Sequence, residues 1–239
     1  MPRRMPPIAV LRFSPTEGPA YFAQWLDRQQ LAWELVALDA GAPLPSDPRA
    51  YGGIAMMGGP MSVNDALPWI EPVCALLRDA VDARIPVIGH CLGGQLLARA
   101  LGAKVTRTAQ PEIGWIDVQV DADGPAREWF GARAAFTAFQ WHYDAFALPP
   151  GASRVLSNAY NQNQAYTLDD RHIGMQCHVE MTAELVDTWC RVANDELPAY
   201  STAAMHSEAS IREGLAARID ALQAVASSIY ARWIAGLRR

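Results

Sequence analysis

The stretch that decides the reading is Val87-Ile88-Gly89-His90-Cys91-Leu92-Gly93-Gly94-Gln95, continued by Leu96-Leu97-Ala98-Arg99-Ala100-Leu101-Gly102. The short apolar run after Pro86 reads as a buried strand. The good helix formers after Gly93-Gly94 read as a helix closed by Gly102. Between them stands one cysteine among glycines. So tight a passage from strand to helix admits only small neighbours, and it lifts the central side chain onto the helix N-terminus. The unpaired N–H groups and the dipole there favour a thiolate over a thiol. Alone, Gly-x-Cys-x-Gly serves a buried structural cysteine as well as a nucleophile. The rest of the chain has to decide.

Upstream, residues 8–13, 33–38 and 54–57 are short apolar runs, and 18–31 and 68–84 carry apolar residues at helical spacing. Residues 40–51, rich in Gly, Pro and Asp, read as loop. Strand alternating with helix predicts βαβ units and an open, mostly parallel twisted sheet with flanking helices, an α/β fold. Downstream the texture changes. Residues 104–108, 114–120, 135–141, 154–159 and 164–168 read as short strands with few helices between them, which predicts a smaller antiparallel portion. Residues 173–176 form a return strand, and Thr182 starts a helix with Glu184 in its first turn.

Residues 196–210 are polar and read as a connector. From Ile211 the apolar residues Leu215, Ile219, Leu222, Val225, Ile229 and Trp233 follow at steps of three and four, so they share one helical face. That face is expected to pack on its own domain; a homodimer or partner surface is the alternative. The expected division is a main domain, 1–195, and a C-terminal helical extension, 196–239, packed on it.

Composition narrows the function. A chain of 239 residues, 51% hydrophobic and 19% charged, can bury a full core. A net charge of −5 and the lack of any basic run longer than Arg238-Arg239 argue against a nucleic-acid partner. No apolar segment approaches the ~20 residues that span a bilayer. Met1-Pro2-Arg3-Arg4-Met5-Pro6-Pro7 is charged but has no hydrophobic signal core, so the expected location is cytoplasmic. Cys74, Cys91, Cys177 and Cys190 show neither a disulfide framework nor a Cys-x-x-Cys pattern, and the five histidines show no ligand spacing. Neither a metal nor another cofactor is expected.

A cysteine nucleophile needs a base, a group that orients the base, and donors for an oxyanion. His178-Val179-Glu180 supplies the first two, because residues two apart on an extended segment point the same way. His178 would deprotonate Cys91, and Glu180 would hold the ring's tautomer and steady the imidazolium. Gly58-Gly59-Pro60 ends a different strand on the same sheet edge. The Gly59 N–H can come close because no Cβ blocks it, and the Leu92 N–H, just after the cysteine, is the second donor.

Gly89-His90-Cys91-Leu92-Gly93-Gly94-Gln95, Met57-Gly58-Gly59-Pro60 and Gly174-Met175-Gln176-Cys177-His178-Val179-Glu180 together resemble the class I (triad) glutamine amidotransferases, over roughly residues 8–193. The resemblance implies that family's flavodoxin-like fold. It also implies hydrolysis of the glutamine carboxamide through a γ-glutamyl thioester on Cys91, with ammonia released. His178 matches the base, Glu180 the orienter, and Gln95 the residue that contacts the substrate. Gln140-Trp141-His142-Tyr143-Asp144 looks like the family's His-x-Asp segment, where backbone groups hold the substrate's α-amino and α-carboxylate ends. His142 is then a pocket wall rather than a second base.

The chain departs from the pattern at Cys177 and Val179, where the family usually has Phe and Pro; neither change removes a catalytic group. No synthetase domain, ATP-binding loop or acceptor-binding domain is recognisable. Ammonia would pass to a separate synthetase partner, or the chain would be a plain hydrolase of glutamine or another γ-glutamyl compound, a γ-glutamyl peptidase or amide hydrolase. A catalytically idle regulatory or binding subunit is the reading from another class, and the intact set Cys91, His178, Glu180 speaks against it.

Overall fold

The structure is a computed structural model that describes residues 5–122 and 124–237. Met1-Pro2-Arg3-Arg4 and Arg238-Arg239 lie outside the described residues. Strands β1 (Ile8–Arg12), β2 (Trp33–Ala37), β3 (Gly53–Met56), β4 (Val87–His90) and β9 (His172–Met175) run parallel to one another. From β9 the sheet continues antiparallel through β8 (Ala165–Leu168), β7 (Ser153–Ser157), β5 (Val105–Val120) and β6 (Ala135–Phe146). The order across this single open sheet is β2-β1-β3-β4-β9-β8-β7-β5-β6. The class is the expected one.

Both faces of β1, β3, β4 and β9 are covered, which is why the first three read as short apolar runs, while the edge strand β2 is partly exposed at Glu34 and Leu35. Ile8 and Val10 of β1 belong to the same buried cluster as Phe22, Trp25 and Leu26 of α1 (Ala20–Arg28) and Tyr230 and Trp233 of α7 (Leu215–Ile234). The alternate residues Ala9 and Leu11 join Val73 and Leu77 of α2 (Ile70–Asp82) and Leu96 and Leu97 of α3 (Leu92–Ala100). Helix α5 (Ala183–Val192) starts at Thr182, whose hydroxyl accepts the Leu185 N–H at 3.2 Å. Among the described residues, no helix is long and apolar enough to cross a membrane.

Three expectations are corrected. Residues 104–108 and 114–120 are not two strands but one, β5, of 16 residues. Its register slips between Arg107 and Glu112. Pro111 falls in that slip, where a bulge absorbs the ladder donor that proline lacks. A helix, α4 (Gly124–Phe130), occupies a span where none was expected; its seven residues are too few for a helical period to stand out, though Trp129 and Phe130 are buried. The C-terminal stripe does not lie on one helix. It begins on α6 (Glu208–Arg212), breaks at Gly214, whose φ is +63°, and resumes on α7.

The stripe is consumed inside the chain. Ile211, Ile219, Leu222, Val225, Ile229 and Trp233 are buried in the cluster that contains α1, and Leu215 is partly buried against it. Among the described residues, the stripe leaves no apolar seam for a second copy.

Candidate active site

Cys91 sits between β4 and α3 with φ +47°, in the left-handed region that a side-chain-bearing residue rarely adopts. Two backbone bonds hold it there: its N–H donates to Met175 O on β9 (2.8 Å), and its carbonyl accepts the Gln95 N–H (2.9 Å). Glycine is required next to it for contact rather than for conformation. A Cβ on Gly93 would stand 2.7 Å from Met56 O, and one on Gly94 would stand 2.5 Å from Met175 O. The first turn of α3 is wedged between β3 and β9, and any larger residue would push the cysteine off the sheet edge.

The chain bends after β9, and His178 locks onto β6 by donating its backbone N–H to Phe139 O at 2.8 Å. Trp189 of α5 packs edge-on against the imidazole, ring centroids 4.6 Å apart. His178 Nδ1 lies 2.7 Å from Glu180 Oε1, and both side chains are buried. Burial alone would lower the His178 pKa. The negative charges of Glu180 and Cys91, and hydrogen bonds to both, outweigh it and hold the pKa well above 6.5. Burial alone would raise Glu180, but the charges of His178 and His90 and the hydrogen bond from His178 hold it below 4.5. Together the two residues favour an imidazolium beside a carboxylate.

His90 stands behind this group. Its Nδ1 is 3.2 Å from Met56 O, its Nε2 is 3.3 Å from the hydroxyl of Tyr230 on α7, and its Nε2 is 4.0 Å from Glu180 Oε2. Burial holds its pKa below 6.5 against the pull of Glu180. The sequence placed no group of interest beyond Glu180, yet the C-terminal helix touches the residue behind it.

A cavity of about 190 Å3 opens over Cys91. Gly59, Gln95, Trp141, His142 and Tyr143 line it. Leu92 lies against Gly59: a Cβ on that glycine would meet Leu92 Cδ2 at 2.5 Å. As the first residue of α3, Leu92 has an N–H with no intrahelical acceptor.

Gln140 is a correction. It does not line the cavity; it is fully buried and donates from Nε2 to Gln164 Oε1 at 2.9 Å. The buried amide of Gln164 draws it into the core, where an unpaired amide would be costly. The polar atoms of His142 also turn away from the thiol, with Nδ1 3.1 Å from Asp144 O and Nε2 3.1 Å from Glu112 Oε2. His142 is a wall of the cavity.

Four polar residues that the sequence left unremarked belong to this region. Glu17, in the loop after β1, lines the cavity. Burial pushes its pKa up to about 7; the charge of His178 opposes this, and those of Glu180 and Glu196 add to it. Glu196 is held by Trp141 Nε1 (2.9 Å) and the Tyr143 hydroxyl (3.0 Å), both donating to its Oε2. Arg107 lies over the Tyr143 ring, 4.5 Å from its centroid. The fourth, Gln176, donates from Nε2 to Cys91 Sγ at 3.5 Å. Among the described residues, no group of three His, Cys, Asp or Glu is placed to hold a metal ion.

Fold and site together define an α/β protein with a thiol elbow at the carboxyl ends of parallel strands and a histidine–carboxylate pair beside it. The family model of Glutamine amidotransferase class-I matches residues 26–189, and the chain belongs to that family. A crystal structure of a glutamine amido transferase from Methylobacillus Flagellatus superposes with a TM-score of 0.95 at 44% identity, covering 98% of this chain and 96% of that one. A glutamine-hydrolyzing GMP synthase subunit of Sulfurisphaera tokodaii is 36% identical over 137 residues, 56% of this chain and 69% of that protein. Gamma-glutamyl peptidase 4 of Arabidopsis thaliana is 27% identical over 155 residues, 62% of this chain and 61% of that protein.

Proposed function

We propose that the chain hydrolyses the side-chain amide of glutamine through a γ-glutamyl thioester on Cys91. The observation that carries this reading is the meeting of an elbow cysteine with the His178–Glu180 pair at one small cavity. Cys91 Sγ attacks the amide carbon, and the C=O electrons move to oxygen. The N–H groups of Gly59 and Leu92 receive that oxyanion. His178 gives its proton to the amide nitrogen as the C–N bond breaks, and ammonia leaves. A water molecule then loses a proton to His178 and attacks the thioester carbon; the C–S bond breaks, and glutamate departs. Glu180 keeps the ring oriented and its cationic form favoured. Gln95 and the backbone of residues 141–143 hold the amino-acid end of the substrate.

The ammonia passes to a separate synthetase partner, a reading supported by the likeness to a GMP synthase subunit. A γ-glutamyl peptide in place of glutamine is the second reading, favoured by the likeness to a γ-glutamyl peptidase. Both use the same thioester and differ only in the leaving amine. Residues 1–195 are taken as the amidotransferase unit and 196–239 as its helical extension. The four free, buried cysteines accord with a reducing, cytoplasmic setting.

Two measurements test the reading together. Ammonia or amine release is followed over glutamine and a panel of γ-glutamyl peptides, and the chain is treated with 6-diazo-5-oxo-norleucine and digested. Turnover of glutamine and added mass on the Cys91 peptide are expected. Cys177 is fully buried, and burial pushes its thiol pKa far up, so it should stay unlabelled. Label on Cys177 with Cys91 untouched overturns the mechanism; turnover of peptides alone selects the second reading.

A further inference from the structure

The segment after β9 carries one more polar side chain toward the sulfur, and the proposed mechanism does not use it. Gln176 is fully buried. Its backbone N–H donates to Gln164 O at 2.8 Å, which continues the sheet ladder and leaves the carboxamide free for other work. That carboxamide lies between Gln95 and Cys91: Gln95 Nε2 donates to Gln176 Oε1 at 3.2 Å, and Gln176 Nε2 donates to Cys91 Sγ at 3.5 Å.

The direction of this chain of donors is fixed at its far end. Gln95 Nε2 also lies 3.0 Å from Asp144 O, a backbone carbonyl that can only accept. The Gln95 amide must therefore turn its nitrogen to that side. Its two hydrogens then serve Asp144 O and Gln176 Oε1 together. With its oxygen so engaged, Gln176 has only its NH2 group to offer the sulfur. Turned over, it would set two NH2 groups face to face and aim a carbonyl oxygen at a thiolate. The thiol form has another outlet, since Cys91 Sγ donates to Trp141 O at 3.9 Å. A donor held at sulfur while the S–H has an acceptor elsewhere suits a group that must exist in both forms.

We propose that Gln176 is a positioning residue for Cys91: its carboxamide holds the sulfur at the cavity floor and stabilises the thiolate, with Gln95 fixing its orientation. This rests on the reading of Cys91 as the nucleophile. It also gives Gln95 a second duty. With both its hydrogens spent on protein acceptors, Gln95 keeps only its oxygen for a substrate, so one side chain on the cavity wall joins substrate binding to sulfur placement.

The charged and titratable groups around the sulfur are His178 and Glu180 after β9, Glu17 in the loop after β1, Arg107 on β5, His142, Tyr143 and Asp144 on β6, Glu196 beside Trp141, and the thiol of Cys177. A neutral substitution at Gln176 leaves all of them in place. A change in sulfur reactivity on such a substitution therefore reports the amide.

The test uses Gln176→Met and Gln176→Leu, two neutral side chains that keep bulk and remove the donor. Melting curves establish which variants fold, and either one suffices. The rate of Cys91 carbamidomethylation by iodoacetamide is measured against pH by peptide mass, alongside kcat and KM for glutamine. A donor to a charged group contributes about a ten- to hundredfold preference. The alkylation midpoint should rise by about one pH unit or more in both variants, and kcat should fall about tenfold or more, with KM changing less. A midpoint unmoved in a folded variant overturns the proposal; so does a rise in KM alone, which would mean that Gln176 serves only the cavity through Gln95. Failure of the wild-type chain to turn over any γ-glutamyl compound would instead sink the proposed function, while the alkylation profile would still decide the role of Gln176.

Discussion

Two buried histidine–glutamate pairs belong to the region around Cys91, and they are made differently. His178 and Glu180 are two residues apart on one segment and 2.7 Å from each other. His142 and Glu112 come from neighbouring strands, β6 and β5, and stand 3.1 Å apart. In the second pair the carboxylate is saturated: Glu112 accepts from Gln164 Nε2 at 2.8 Å and from Asn158 Nδ2. In the first, Glu180 Oε2 has no hydrogen-bond partner among the described residues, and the far side of the ring bonds to Cys91. A carboxylate shared among neutral amides ties strands together. One devoted to a single imidazole changes that imidazole's charge. The pairing is the same in kind, and the neighbours assign it to structure or to chemistry.

The widest separation between the two pairs should come from deleting one partner of each. His178→Ala should remove turnover almost entirely, by about 10^4-fold or more per folded molecule, and because it leaves the buried Glu180 carboxylate unpaired it should also lower the melting temperature. Glu180→Gln should leave more activity, because it orients a proton carrier without carrying the proton. Glu112→Ala should act the other way. It strands His142, Gln164 and Asn158 in the core and should cost about 3–5 kcal/mol of stability, while the folded fraction keeps its kcat. Ammonia release per folded molecule, set against urea melts, reads both. A folded, fully stable Glu112→Ala variant without activity would erase the distinction between the two pairs.

The first pair was legible in the sequence and the second was not, for a physical reason. His-x-Glu and Gly-x-Cys-x-Gly are local: each places its side chains through a strand period or one tight turn. Glu112 meets His142, Gln164 and Asn158 only because β5 pairs with β6 across a bulge at Pro111, and no short pattern announces that register. Glu17 and Glu196 reach the cavity from a loop and from a stretch that reads as a connector. Gln176 lies within the motif that ends at Glu180, yet its partner atoms come from Cys91 and from Gln95 on α3, so its direction was invisible. Gln140 shows the converse: the right segment is no guarantee of the right side chain.

Glu17 offers a gentler probe of the catalytic side through pH. Its carboxyl titrates at about 7 in the fold against an ordinary 4.5, with burial as the main cause. The unfolded chain therefore gives up that proton first, and Glu17 subtracts stability as pH rises from about 4.5 to 7, then stays at its full cost. Glu17→Gln should match the wild type near pH 4.5 and exceed it by about 1–2 kcal/mol at pH 8, allowing for screening at a partly exposed site. Denaturation at the two pH values gives the difference. A gap that does not grow with pH would mean that the carboxyl titrates normally and that water reaches it in the fold.

The smallest effect concerns how far that field extends behind the pair, toward the C-terminal helix. His90 Nδ1 faces Met56 O at 3.2 Å and must be the protonated nitrogen of a neutral ring, so Nε2 accepts from the Tyr230 hydroxyl. Tyr230→Phe removes that donor and leaves one buried acceptor unpaired, a loss of about 1 kcal/mol. If His90 only fills space behind Glu180, kcat should stay within about twofold of the wild type at every pH. If the ring instead gains a proton to replace the lost donor, Glu180 acquires a second cation 4.0 Å away and holds His178 less strongly. The imidazolium would then lose its proton at lower pH, and the alkaline side of the pH–rate curve would move toward neutrality. Burial works against that second course, because it already keeps the His90 pKa below 6.5 despite Glu180. The expected result is thus a small fall in melting temperature and an unshifted pH–rate curve. A shifted curve at unchanged stability would make α7 part of the catalytic arrangement rather than a cover for the sheet.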